Sequence, residues 1–252
     1  PSNVSLQDRR VLKSYNFSSS SYELGSTFQI LLNGGGDSVW GPSSYLRLVY
    51  TATAALNFGT GSILNIFKSI RATHRSGEIL EYTDNINLLA NLRRYWDYNY
   101  EDRRKLDGMM GCVSSASGYD NVPGVGTHVA IIPLSILFGL FDNRSQYMNA
   151  SLCAGMKLEF ELAPLQIITR SFTTGGVQIS NMRPTIVLDT AALYDVVNKQ
   201  LLAEQADVDQ SGIQFTYQTY FNTNTISTSN SINLDVLQSA SLTTKLICIA
   251  RN

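Results

Sequence analysis

The clearest pattern in the chain is an alternation of hydrophobic and polar positions with a period of two. Between Met156 and Leu162, four hydrophobic residues alternate with Lys157, Glu159 and Glu161. This period places the hydrophobic side chains on one face of a strand and the charged side chains on the other. We therefore expect an antiparallel strand with one buried face and one solvated face.

Shorter runs of the same kind recur along the chain, and clusters of glycine, proline and serine separate them. Such clusters are typical of turns. Many strands joined by polar turns favour a β-sandwich or a roll. The further strands are predicted at residues 27–32, 45–50, 63–72, 78–82, 128–132, 184–188, 213–221 and 245–250.

Two segments follow a helical period instead. The first is predicted to run from Thr83 and Asp84, which are good N-cap residues, to about Leu106. The second is predicted to begin near Asp189 or Thr190. Its hydrophobic side chains recur at the spacing of one helix face. They are Leu193, Val197 and Leu201.

The composition adds a neutral, polar surface to this picture. Charged residues make up 15% of the 252 positions, whereas Ser, Thr and Asn together make up 66 of them. Burying a hydroxyl or an amide in an interface costs less than burying a charge, so this surface suits a chain that packs against neighbours. The net charge of -1 gives no general attraction to nucleic acid or to an anionic membrane. The length allows one large β domain or two small domains.

The cysteines and the apolar runs bear on the compartment. Cys112, Cys153 and Cys248 are widely spaced and odd in number, which favours buried thiols in a reducing compartment over disulfides or a zinc site. The longest apolar run, residues 130–141, includes Pro133 and is shorter than the roughly 20 residues of a membrane-spanning helix. No signal peptide opens the chain. We expect a soluble protein made in the cytosol, with no transmembrane segment.

Candidate chemistry is sparse. The sequence lacks the phosphate-binding loop, the zinc-protease and hydrolase motifs and the calcium-binding loop. Its two histidines, His74 and His128, are interpreted as structural or surface residues. Glu159 and Glu161 could act as an acid/base pair, but Lys157 on the same face favours a stripe of surface or interface charge. We therefore predict no enzyme, with no catalytic, cofactor-binding or metal site and no cofactor.

Arginines and aromatic residues alternate in residues 93–105, a combination that can bind nucleic acid through charge and stacking. Acidic residues lie between them, so the segment is nearly neutral. The preferred interpretation is a salt-bridged helix with an aromatic packing face, and no specific nucleic-acid partner.

Three stretches, in order, resemble the major capsid proteins of the double-jelly-roll lineage, which is found in virophages, Polinton-like elements, adenoviruses and large nucleocytoplasmic DNA viruses. The first, residues 44–82, resembles the early strands of that family. The second, residues 131–164, contains an I-P-L strand, a short excursion, a turn of small residues and an alternating strand. The third, residues 185–205, is similar to the last strand of the first roll, with a helix after it.

The resemblance implies an all-β fold: an antiparallel jelly-roll sandwich with an inserted helix, then a short helix and the opening strands of a second roll. The implied domains are a first jelly roll at 1–190, a helix and linker at 191–210, and an incomplete second roll at 211–252. The sequence departs from the family here, since its subunits carry two complete rolls. A fragment, a split subunit completed by another chain, and a shorter relative with one roll are the alternatives.

The implied function is that of a structural coat protein of a DNA virus, which assembles into pseudo-hexagonal trimers that tile an icosahedral shell. Its partners would be copies of itself, and other capsid proteins or a chain that completes the second roll. It would be located in the virion after synthesis in the host cytosol. The helix at 83–106 and the loop at 109–126 are the elements expected to contact neighbours, because both are long excursions from the sheet.

A carbohydrate-binding jelly roll is the alternative function. Sugar-binding modules of this kind stack their ligand on exposed aromatic rings. The candidate rings in this chain are Trp40, Trp96, Tyr98 and Tyr100.

Overall fold

A computed structural model describes residues 6–17, 19–33, 38–41, 43–53, 63–111, 125–142, 148–149, 153–164, 179–193 and 217–220. The chain divides into two compact units, Pro1–Phe221 and Asn222–Asn252. The second unit lies outside the described residues, as does the strand predicted at 245–250. The domain boundaries at 190 and 210 therefore stay predictions.

The first unit is built mainly of antiparallel strands, with two helices inserted between the sixth and seventh strands. The described strands are β1 (Leu6–Asn16), β2 (Thr27–Leu32), β3 (Ser38–Trp40), β4 (Tyr45–Ala52), β5 (Phe67–Thr73), β6 (Ile79–Asp84), β7 (Gly126–Pro133), β8 (Met148–Asn149), β9 (Met156–Leu162) and β10 (Ile179–Leu193). The described helices are α1 (Ile86–Trp96), α2 (Tyr100–Met109) and the single turn α3 (Leu134–Leu137).

The strands form two sheets. In the first sheet, β10 pairs with β1 along one edge and with β4 along the other, and β4 also pairs with β7. The short strands β3 and β8 extend this sheet beside the end of β10. The second sheet has the order β2-β9-β5-β6, and its pairs are all antiparallel.

Leaving out the two short strands, eight strands remain, in the spatial orders first, eighth, third, sixth and second, seventh, fourth, fifth. Apart from the β5–β6 hairpin, neighbouring strands in each sheet are distant in sequence, as in the two interlocking Greek keys of a jelly roll. The fold class expected from the sequence, an antiparallel jelly-roll sandwich, is confirmed.

Aromatic side chains fill the space between the sheets. Phe160 of β9 stacks on Phe28 of β2 at 5.0 Å between ring centroids. The Phe138 ring packs edge-on against Phe160 at 5.5 Å between centroids, and the Phe67 ring lies 6.0 Å from that of Phe160. The alternation predicted for β9 is confirmed, because its hydrophobic residues are buried and its charged residues are partly exposed.

The inserted helix differs from the prediction. Thr83 and Asp84 belong to β6, where they pair with Ile70 and Ser69, so they cannot cap a helix. α1 begins after Asn85, which adopts a left-handed conformation with a φ of 49°. α1 ends at Trp96, and α2 begins at Tyr100 as a separate helix. Its N-cap is Asn99, whose side chain accepts a hydrogen bond from the Asp102 N–H at 2.9 Å. The insertion is therefore a pair of helices.

The prediction that a helix begins at Asp189 or Thr190 is wrong, since both residues lie inside β10. The Asp189 N–H donates to Ser44 Oγ at 3.1 Å, and the Asp189 carbonyl accepts from the Gly41 N–H at 2.6 Å. These bonds hold Asp189 in the sheet. Residues 194–210 lie outside the described residues.

Other strand predictions need smaller corrections. Residues 63–66 form a 3-10 turn, so β5 begins only at Phe67. The hydrophobic pattern did not predict β1, β3 or β8 as full strands. Within the strand predicted at 213–221, only residues 217–220 are described, and they belong to no helix or strand.

Candidate assembly surfaces and a buried polar cluster

The outer face of the second sheet carries paired charges. Lys68 Nζ lies 2.6 Å from Glu161 Oε1, and Lys157 Nζ lies 3.3 Å from Glu159 Oε2. Arg71 lies 3.8 Å from Glu159. The hydrogen bond from Lys68 lowers the pKa of Glu161. The predicted charge stripe is therefore present, and it is internally neutralised.

The outer face of the first sheet is different, because two of its arginines have no acidic partner among the residues that the structure describes. Arg47 pairs across the strands with Thr185, and Arg183 pairs with Val49, so the two arginines are diagonal neighbours. Both side chains are exposed, and neither forms an ion pair with a carboxylate of the described residues.

An open surface cavity of about 460 Å³ lies around these two arginines. Hydroxyl groups and apolar side chains complete its lining, and Val129 on the neighbouring edge strand is 47% exposed. This face can accept an acidic group together with apolar contact. The other lining residues are Phe17, Ser19, Ser20, Val49, Pro184 and Thr185.

The helix pair presents aromatic side chains at the surface. Trp96 is 49% exposed and Tyr100 is 60% exposed. The Arg103 guanidinium lies over Tyr95 at 5.0 Å and over Tyr100 at 5.6 Å. The predicted salt bridges are present in this segment, but these three rings lie at the surface and not in a packing face toward the core.

A buried ion pair joins the two helices. Arg94 Nε lies 2.7 Å from Asp107 Oδ1, and the Arg94 side chain is fully buried. Asp107 is mostly buried as well, and this burial raises its pKa. The pair fixes α2 against α1 and so determines where the exposed rings lie.

The two histidines are on different sheets and do not form one site. His74 follows β5, and its Nδ1 lies 2.9 Å from Ser76 Oγ. His128 lies in β7, with its ring 5.5 Å from that of Tyr50. Among the residues that the structure describes, no cluster of His, Cys, Asp or Glu could hold a metal ion.

Of the three cysteines, Cys153 is described and is a partly buried free thiol. Its burial raises the pKa to about 11, so it is protonated at neutral pH. Cys112 and Cys248 lie outside the described residues. None of the described helices is long and apolar enough to cross a membrane.

The four aromatic residues of the carbohydrate-binding alternative differ in how exposed their side chains are. Trp40 is buried in the core, with 1% of its surface exposed, so it cannot be a sugar platform. Tyr98 packs partly against the core. Trp96 and Tyr100 are the two rings of this set with accessible faces.

Sequence reasoning did not identify a polar cluster beneath β6. Glu81 and Thr83 occupy the inward positions of this strand and are buried, whereas Ile79 and Tyr82 are exposed. The alternation is thus the reverse of that in β9. A carboxyl and a hydroxyl at inward strand positions were the available sequence signal.

Glu81 receives its hydrogen bonds from the backbone. The Gly139 N–H donates to Oε1 at 2.9 Å and the Leu140 N–H donates to Oε2 at 3.1 Å. Burial outweighs these bonds and raises the pKa of Glu81 to about 7. The nearest cation, Arg93, lowers this pKa by a smaller amount, and the Asp142 carboxylate raises it.

Arg93 is occupied by other partners. Its Nη2 donates to Asp142 Oδ2 at 2.5 Å and its Nε donates to Asp97 Oδ2 at 3.1 Å. Nη1 donates to the carbonyl groups of Ser135 and Ile136 at 2.8 and 3.1 Å. The guanidinium therefore holds α1 to the α3 turn, and Glu81 is a buried carboxyl without a direct ion pair among the described residues.

Residues 217–220, which we call the strap, pack onto the same cluster. The Tyr217 hydroxyl donates to the Leu80 carbonyl at 2.5 Å, and the Thr83 hydroxyl donates to the Tyr220 carbonyl at 3.3 Å. The Arg93 guanidinium lies 5.1 Å from the centre of the Tyr220 ring. The strap thus covers the inward face of β6 at the end of the first unit.

Known protein structures share this fold. PBCV-1 VP54, in a structure fitted into a reconstruction of the virophage Sputnik, is 15% identical with a TM-score of 0.52 over 76% of this chain and 44% of its own length. The Faustovirus major capsid protein is 8% identical with a TM-score of 0.50 over 77% of this chain and 56% of its own length. No family model and no curated protein matches the sequence.

Both structures are double-jelly-roll major capsid proteins. The chain therefore has the jelly-roll fold that these capsid proteins share, and it spans about half the length of the structures it matches.

Proposed function

We propose that this chain is a structural coat protein of a viral capsid, and that it works by self-association without chemistry or a cofactor. The observation that best supports this proposal is the eight-stranded roll, whose fold is similar to that of solved double-jelly-roll capsid proteins. The largely uncharged composition supports the proposal, because such surfaces are cheaper to bury between subunits. Its location would be the virion, after synthesis in the host cytosol.

In this proposal a second roll begins near residue 211. The partners are copies of this chain, and other capsid proteins or a chain that completes the second roll. Three pairs of rolls form a pseudo-hexagonal trimer that tiles an icosahedral shell. The outer face of the first sheet, around Arg47 and Arg183, is the proposed contact with a neighbouring roll, because these two arginines form no ion pair with a described carboxylate and lie beside an open surface cavity.

The test is electron microscopy with mass spectrometry of particles purified from the native source. We expect peptides of residues 44–205 as a major component of an icosahedral shell, with trimeric building blocks in the reconstruction. A protein that is absent from particles and recovered only as monomers contradicts the proposal.

Glycan binding is tested separately on the exposed rings. A Trp96→Ala/Tyr100→Ala variant removes the two accessible platforms of the carbohydrate-binding alternative. A wild-type signal on a glycan array that this variant loses supports that alternative. Equal absence of signal for both proteins, together with shell assembly, supports the capsid function.

A further inference from the structure

Glu81 is a buried carboxyl that the proposed assembly function does not use. It is 2% exposed, and two backbone N–H groups of the segment after α3 are its hydrogen-bond donors. A carboxylate without a paired cation is costly to bury, and it becomes less costly when it takes up a proton. Its environment therefore couples local packing to protonation.

The strap packs against one side of the segment that holds Glu81. A methyl group built on Gly139 would collide with the Gln218 carbonyl and would lie 3.4 Å from Glu81 Oε1. The strap thus packs against Gly139, whose N–H is one of the two donors to Glu81. Packing that excludes water from a carboxyl favours its neutral form.

The charged and titratable groups around Glu81 come from three elements. Arg93 of α1 attracts the carboxylate, and Asp142 after α3 repels it. Tyr217 and Tyr220 of the strap respond to Glu81 in turn, since its charge raises the pKa of both phenols, although burial is the larger cause for each. The hydrogen bonds of the Arg93 guanidinium go to other partners. No direct bond from Arg93 to Glu81 therefore offsets the repulsion between Glu81 and Asp142.

We propose that the strap is a proton-coupled clamp, which binds the roll tightly while Glu81 is neutral and loosens when Glu81 is ionised. By linkage, a group whose pKa rises on docking makes docking stronger at low pH and weaker at high pH. The pKa of Glu81 is raised to about 7 in the docked state, so the share of this rise that the strap contributes sets how much docking weakens as the pH rises toward 7. This inference goes beyond the capsid function and does not depend on it.

Hydrogen exchange of the full chain measures the clamp directly, as the protection of strap amides after correction for intrinsic rates. From pH 5 to pH 8 we expect this protection to fall at least about tenfold in the wild type, which corresponds to one unit of pKa difference. In Glu81→Gln, which cannot ionise, it stays within about twofold. Glu78→Gln, at an exposed carboxylate of the same hairpin, is the matched control and keeps the wild-type profile.

Two further variants test the geometry of docking. Gly139→Ala places a methyl group against the Gln218 carbonyl, so strap protection is lost at every pH while β9 stays protected. Gly108→Ala has no atom within 4 Å of the new methyl group and leaves the strap unchanged. Tyr217→Phe removes the hydroxyl bond to Leu80 and keeps the ring, and it lowers protection without altering the pH midpoint.

Strap protection that does not change with pH in the wild type overturns the inference. A pH response that persists in Glu81→Gln also overturns it, because another group then carries the proton. Full protection in a folded Gly139→Ala variant overturns the docking geometry. All of these outcomes leave the capsid function intact, since none of them measures assembly.

Discussion

Gly41 and Asp189 show how closely single residues are fitted at the corner between β3 and β4. The Ser44 hydroxyl donates to the Gly41 carbonyl at 2.8 Å, while the Asp189 backbone bonds to both Gly41 and Ser44. A methyl group on Gly41 would lie 2.6 Å from Asp189 Oδ2, and Asp189 is buried. The carboxylate therefore has little room to move away.

We expect Gly41→Ala to lower the free energy of unfolding by about 1–3 kcal/mol, the usual cost of overpacking a well-packed site. Gly108→Ala, in the exposed part of α2, should raise it by about 0.5–1 kcal/mol because alanine favours a helix over glycine. Urea unfolding of the two variants measures both changes. Equal stability of the Gly41 and Gly108 variants would show that the corner adjusts freely.

Among the elements, the helix pair depends on one buried interaction. Arg94 is fully buried, and Asp107 is its counterion across the two helices. Removing one partner of a buried pair leaves an uncompensated charge, whereas replacing both with apolar residues of similar volume does not. The orientation of Trp96 and Tyr100 at the surface follows from this contact.

Asp107→Ala should therefore cost about 3–5 kcal/mol of stability, and the double variant Arg94→Met/Asp107→Leu should recover most of it. Lys105→Ala is the surface control, because its pair with Asp102 at 3.7 Å is exposed and such pairs contribute about 0–1 kcal/mol. Thermal unfolding followed by circular dichroism makes the comparison. A double variant as unstable as the single one contradicts the role of the unpaired charge.

In the whole molecule, the two sheets differ in how their outer charges are neutralised. The second sheet pairs its lysines and arginine with Glu159 and Glu161. The first sheet leaves Arg47 and Arg183 as diagonal neighbours beside an open surface cavity. Like charges on diagonal neighbours repel each other. An acidic group from a neighbouring subunit would therefore stabilise the two arginines.

Arg47→Glu should raise the protein concentration needed for half-maximal assembly by about tenfold or more, because a central interface arginine is typically worth about 2 kcal/mol. Arg75→Glu makes the same charge change in the exposed turn after β5 and should have little effect. Sedimentation of assembled material over a concentration series provides the measurement. An equal shift for both variants would indicate a response to net charge and not to this face.

The sequence was sufficient for the strands whose inward residues are all hydrophobic. β2 and β9 were predicted to the residue because alternation is strict there. β3 and β8 were missed, since strands of two or three residues are too short to show a period. The ion pairs of the helical segment were also predicted, because acids and bases three or four residues apart are visible in a linear pattern.

The buried cluster beneath β6 could not be predicted in the same way. Glu81 meets Gly139, and Thr83 meets Tyr220, across separations of 58 and 137 residues. Local periodicity contains no information about such partners. The same limit explains why Asp189 was taken for a helix start, although its bonds to Gly41 and Ser44 hold it in β10.

Hydrophobic patterning specified an antiparallel β-sheet protein, because burial of alternate side chains is a local property of the chain, and the composition specified a neutral, polar surface. Long-range pairing specified the rest: which strands became neighbours, which arginines have no acidic partner among the described residues, and which carboxyl is buried beneath the strap. Those features arise only when distant residues share one small volume, where desolvation and neighbouring charge alter what each side chain can do.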